Sequence, residues 1–155
     1  MSIAIDITER RQRAIENFRA GYNCAQAVFL AYSDIYNVEE KLAKQLAAPF
    51  GGGMGRMREV CGALSGAFML VGLKYPADDP ENKAAKMENY AAVQRVAAPF
   101  REKHGTIICR ELLDAKRAKP EADLADPFGE YLAKNPCARF VADTAEIIGR
   151  ELIGE

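Results

Sequence analysis

Histidine is almost missing from this 155-residue chain, His104 being the only one. One histidine excludes paired-histidine metal enzymes, and with no Ser-His-Asp set to assemble, the triad hydrolases go too. His104 follows a helical stretch, so capping at a helix C-terminus, where a cation is stabilised, is its expected role. Strand-type alternation is also missing, as are internal repeats and low-complexity tracts, which leaves sandwiches, barrels and solenoids without support. No apolar run reaches membrane length: the most apolar segment, Cys61 to Leu73, is too short and is closed by Lys74. A net charge of −1 provides no electrostatic basis for binding nucleic acid or an anionic membrane. In MSIAIDITERRQR the charges follow the short Ile3 to Ile7 stretch and no signal-length run is present, so a cytoplasmic protein without membrane insertion is expected.

What is present is the composition of one globular domain, with 49% apolar and 28% charged residues, and a single all-helical four-cysteine domain over 1–155 is expected. Helical spacing predicts about six helices. The first runs from Thr8 to Ala20 behind Asp6 or Thr8 as cap, and Gly21 stops it. The second opens at Cys24 behind Asn23 and ends at Asn37. The third, Val38 to Ala48, presents Val38, Leu42, Ala43 and Leu46 as its buried stripe. The fourth, Val60 to Leu73, is apolar all round and should lie at the centre of the bundle. A long fifth helix is predicted from Asp79 to Lys103, with Pro80 in its first turn and Pro99 kinking or dividing it near Ala98. Thr106 can cap a short helix that begins there and carries Cys109 through Leu113. After an irregular stretch with one helical turn at Pro127 to Ala133, Asn135 and Pro136 start the last helix, which ends near Leu152 with Phe140, Val141, Ile147 and Ile148 inward.

The chain is organised around Pro49 to Leu73, PFGGGMGRMREVCGALSGAFMLVGL. Its glycine run suits neither regular helix nor strand, because each glycine there costs about 1 kcal/mol against alanine. With Arg56 and Arg58 it has the elements of an anion-binding nest, though no P-loop Lys-Ser/Thr follows and a helix, not a strand, precedes it. In the fourth helix Gly62 and Gly66 share a face next to that of Cys61 and Ser65. They imply either tight helix packing or clearance for a cofactor or partner thiol beside Cys61. Gly52, Gly53 and Arg56 join them as candidate cofactor-binding residues.

Four cysteines, Cys24, Cys61, Cys109 and Cys137, are the candidate catalytic residues, and the same four are the candidate metal ligands. They stand tens of residues apart, which excludes a local Cys-x-x-Cys pair, a zinc ribbon and covalent haem attachment. Three of the four, Cys24, Cys61 and Cys137, lie in predicted first turns, and Cys109 joins them if its short helix begins at Thr106; there free N–H groups and the helix dipole favour a thiolate, and Arg56 and Arg58 would further lower the Cys61 thiol.

The runs Gly21-Tyr22-Asn23-Cys24-Ala25-Gln26-Ala27, Phe50-Gly51-Gly52-Gly53-Met54-Gly55, Cys61-Gly62-Ala63-Leu64-Ser65-Gly66 and Cys109-Arg110-Glu111-Leu112-Leu113, with Cys137 ahead of the last helix, resemble the C_GCAxxG_C_C family of putative redox-active proteins. The resemblance implies cysteine redox chemistry without a substrate, and an association of some members with transporter genes implies a partner of that kind. A distant likeness to the front part of split-Soret cytochromes implies haem, for which this chain lacks Cys-x-x-Cys-His. Three readings stand open: thiol–disulfide chemistry with an unknown redox partner, Cys61 as nucleophile, Cys24 resolving and Cys109 with Cys137 as a second pair; a metal or iron–sulfur cluster held by the four thiolates; and a helical interaction module, such as a homodimer, in which the cysteines only pack.

Overall fold

The computed structural model describes residues 4–155, so Ile3 of the Ile3 to Ile7 stretch lies outside the described residues. Asp6 caps α1 (Ile7–Arg19), its carboxylate accepting from the Glu9 N–H at 3.2 Å. Asn23 caps α2 (Cys24–Tyr32) in a reciprocal box: its side chain accepts from the Gln26 N–H while Gln26 accepts from the Asn23 N–H. That pairing satisfies two otherwise orphaned donors and fixes where α2 begins. A 3-10 turn, Ser33–Tyr36, follows, and Asn37 ends it in the left-handed region at φ 58°.

Glu39 caps α3 (Glu40–Ala47), which therefore starts two residues later than the expected Val38. The buried stripe expected on this helix is corrected. Ala43 and Ala47 face the core, whereas Leu42 and Leu46 are 47% and 49% exposed. Small side chains hold the contact because α3 lies close against α2.

The central helix α4 (Gly62–Lys74) buries Gly62 through Ala67, then Leu70 and Val71, with its last residues reaching solvent. The long helix α5 (Lys83–His104) starts later than expected, behind Asn82, whose side chain accepts from the Ala85 N–H. Pro80 sits in the turn ahead of it, closed by a 3.0 Å bond from the Asn82 N–H to the Asp79 carbonyl. The helix runs on through Pro99 without dividing. Two short helices, α6 (Cys109–Leu112) and α7 (Gly129–Lys134), lead to α8 (Pro136–Ile153). Asn135 precedes α8 without capping it, since its amide donates back to the Tyr131 carbonyl at 2.8 Å.

These eight helices make an all-α fold among the described residues. α1 packs on α2 and α8, α2 on α4, and α4 and α5 on α8. The core is built from Val28, Tyr32, Leu64, Leu70, Val96, Phe100 and Val141. Gly66 permits the α2–α4 crossing: a Cβ there would lie 2.5 Å from the Ala25 carbonyl oxygen. Tyr32 ties α2 to α8 by donating to the Ala145 carbonyl at 2.6 Å. His104 turns into the core, where it meets Asp143 at 2.8 Å between the rings of Phe100 and Phe140. Burial alone would raise the Asp143 carboxyl, but hydrogen bonds from His104 and Lys103 outweigh it and hold the group low.

Candidate functional site: a four-cysteine cavity

The glycine run after α3 forms a left-handed turn. Gly52, Gly53, Met54, Gly55 and Arg56 all have φ between 63° and 69°, and Arg58 follows at 60°. The Gly55 N–H closes it on the Gly51 carbonyl at 2.9 Å, and the Arg58 and Glu59 N–H groups bond the Gly52 and Gly53 carbonyls. Left-handed backbone costs roughly 1–2 kcal/mol per non-glycine residue, so Met54, Arg56 and Arg58 are held there by their surroundings. Gly53 is required by closeness as well as by φ, because a Cβ on it would stand 2.6 Å from the Cys109 Cβ.

The turn delivers the chain into a short antiparallel bridge between Val60 and Ile108, flanked by bonds from the Cys61 N–H to the Ile107 carbonyl (2.8 Å) and from the Cys109 N–H to the Glu59 carbonyl (2.6 Å). Side chains alternate across such a bridge, so Cys61 and Cys109 share one face and Val60 and Ile108 the other. This bridge is the feature that sequence reasoning missed. Its signal was a β-branched residue immediately before each cysteine, in Val60-Cys61 and Ile108-Cys109.

Each cysteine stands at a helix start. Cys24 is the first residue of α2, Cys61 caps α4, Cys109 opens α6, and Cys137 follows Pro136 in α8. All four line one cavity of about 260 Å³, together with Phe18, Gly52, Arg56, Arg58, Gly62 and Phe140. Gly62 lies where a Cβ would meet the Cys24 Sγ at 2.4 Å, so the Cys24 sulfur rests on the backbone next to Cys61. Gly66 stands outside this lining and belongs to the α2–α4 contact, and Gly53 backs Cys109 from the far side of the turn. A larger cavity of about 400 Å³ beyond Leu112, Leu113 and Phe140 contains no cysteine.

All four cysteines are unpaired; Cys61 and Cys109 are only 5% and 7% exposed, and Cys24 and Cys137 are half-buried. The expectation that helix starts lower these thiols is overturned for three of them. Burial, with the neighbouring Cys24 thiol adding to it, pushes Cys61 up to about 12, and the Ala63 and Leu64 N–H groups pull the other way without winning. Burial raises Cys24 against the Gly52 and Ala25 N–H groups, and it pushes Cys137 up to about 11. The cost of moving charge out of water exceeds what one or two N–H groups return. Nor does arginine serve Cys61: the Arg58 guanidinium donates to the Cys109 sulfur at 3.7 Å.

Among the described residues no three His, Cys, Asp or Glu side chains stand close enough together to hold a metal ion.

Fold and site together define an all-α protein with a cavity lined by four thiols. The family model described as Putative redox-active protein (C_GCAxxG_C_C) matches residues 22–151, and the chain belongs to that family. No curated protein and no solved structure matches the chain. Among the described residues no helix is long and apolar enough to cross a membrane.

Proposed function

We propose that this protein carries out thiol–disulfide exchange with an external disulfide, in a reducing, cytoplasmic setting. One observation carries the reading: four unpaired cysteines, delivered by four separate helix starts, line a single cavity. Packing alone would not require all four to share one open space.

Cys24 and Cys61 form the working couple, as the sequence suggested, but in the opposite order. Attack needs a thiolate that an incoming disulfide can reach. Burial raises both thiols, but Cys61 is enclosed and pushed up to about 12, whereas Cys24 is more exposed and the Gly52 and Ala25 N–H groups beside its sulfur offset part of the rise. The Cys24 thiolate attacks one sulfur of RS–SR, and RS⁻ leaves and takes up a proton. Cys61, losing its proton to solvent or to the departing thiolate, then attacks the Cys24 sulfur and expels the second RS⁻. Two protein thiols become one disulfide while the external disulfide becomes two thiols. Cys109 and Cys137 supply a second couple on the Arg58 side of the cavity.

The test is to treat fully reduced protein with 2-hydroxyethyl disulfide at neutral pH, count remaining thiols and map bonds by mass spectrometry. A Cys24–Cys61 disulfide is expected, with Cys61→Ser trapping the mixed disulfide on Cys24. Four thiols still free after prolonged exposure would sink the proposal.

A further inference from the structure

The cavity has a charge character that exchange with an arbitrary disulfide does not need. Two arginines, Arg56 and Arg58, line it, and among the described residues no acidic residue does. Among the described residues neither arginine has a carboxylate within salt-bridge distance, although Arg110 next to them is paired with Glu59. Both stand on the left-handed turn, at φ 67° and 60°, a conformation that arginine adopts only under constraint.

Gly52 gathers the parts. A Cβ built on it would lie 2.8 Å from the Arg56 Cγ and 3.7 Å from the Arg58 Nη1, and its N–H sits beside the Cys24 sulfur. The attacking thiol and two arginines without a carboxylate partner, Arg58 donating only to the Cys109 sulfur, are thus grouped around one residue at the cavity wall. A volume of about 260 Å³ is small for a ligand pocket, which suits a low-molecular-weight substrate.

Resting on the exchange reading above, we infer that the substrate is a small disulfide carrying carboxylates, held by Arg56 and Arg58 while Cys24 attacks its sulfur. The guanidinium fork pairs with a carboxylate in two parallel hydrogen bonds, orienting the substrate as well as attracting it. Covalent balance is unchanged: the carboxylates take no part in bond making, and the two sulfurs of the substrate leave as carboxylate-bearing thiols.

The experiment compares three disulfides of similar size: dithiodiglycolate (anionic), 2-hydroxyethyl disulfide (neutral) and cystamine (cationic). Each rate of Cys24–Cys61 formation is divided by the rate of the same reagent on the urea-unfolded chain, which removes intrinsic reactivity. The anionic reagent should lead the neutral one by about tenfold at low salt, with cystamine slowest, and the lead should shrink as ionic strength rises. In Arg56→Gln and Arg58→Gln the normalised anionic-to-neutral rate ratio should fall, and in the double variant it should approach one. Equal normalised rates, a preference for cystamine, or an anion preference that survives the double substitution would each overturn the inference while leaving the exchange reading intact. Failure of all three reagents would overturn the exchange reading itself, and this inference with it.

Discussion

Two glycines of α4, Gly66 in the core and Gly72 at the surface, should respond oppositely to the same substitution. Alanine is favoured over glycine within a helix by about 0.8–1.0 kcal/mol, so Gly72→Ala, where no atom stands within 4 Å of the new Cβ, should stabilise the fold by close to that amount. At Gly66 the new Cβ would lie 2.5 Å from the Ala25 carbonyl oxygen and 3.3 Å from the Ala25 C and Cα atoms. These are backbone atoms of α2, hydrogen-bonded within their own helix, and they yield only if the two helices separate. Overpacking of this kind costs about 1–3 kcal/mol, which exceeds the propensity gain. Gly66→Ala should therefore be destabilised by about 1 kcal/mol net, leaving the two variants about 2 kcal/mol apart. For a chain of this size that is a difference in Tm of roughly 4–8 °C. Urea denaturation of both variants beside the parent protein, under reducing conditions, measures it. If Gly66→Ala proves as stable as Gly72→Ala, α2 and α4 do not cross as closely as described.

Two further outcomes follow from burial. Leu42→Glu and Leu46→Glu should each change stability by no more than about 0.5 kcal/mol, whereas Ala43→Leu should destabilise by about 1–3 kcal/mol, and thermal melts of the three would show the order reversed if the large side chains formed the contact. Stability should also fall at alkaline pH. Cys61 and Cys137 are raised to about 12 and about 11, so the unfolded chain loses these protons first, and the contribution present below about pH 9 is lost as pH climbs towards those values. Each thiol adds a slope of at most about 1.4 kcal/mol per pH unit. Urea midpoints between pH 8 and pH 11 should show a shallower decline in Cys61→Ala than in the parent chain, and parallel declines would mean that the Cys61 thiol is not buried in the native state.

Much of the helical scaffold was legible because its signals are local. Asp6 and Asn23 cap helices as such residues should, Gly21 follows the end of α1 at φ 107°, and the all-round apolar pattern of Gly62 to Val71 marks a buried helix. Errors arose where tertiary contacts override pattern. On α3 the sequence offered leucines and alanines on neighbouring stripes, and hydropathy favours the leucines. The spacing to α2 selects the alanines. Pro80 matches a first-turn proline, yet Asn82 with its side-chain bond to Ala85 makes the stronger start. At the site, the cysteines were visible as residue types at helix starts. Their electrostatics were not, because a helix N-terminus is local whereas burial depends on Phe18, Leu112 and Phe140 closing over the sulfurs from elsewhere in the chain. The left-handed run could be suspected at its glycines but not at Met54, Arg56 and Arg58, where residue identity argues against the φ values adopted.

The enclosure of Cys61 makes its sulfur an internal clock for the opening of the molecule. A reagent too large for the cavity reaches that thiol only while the bundle is parted, so under native conditions its labelling rate reports how often α2, α4 and the Val60–Ile108 bridge come apart together. Because Cys24 lies nearer the surface in the same cavity, the ratio of the two labelling rates separates a local breath at the cavity mouth from a global opening, without any added probe.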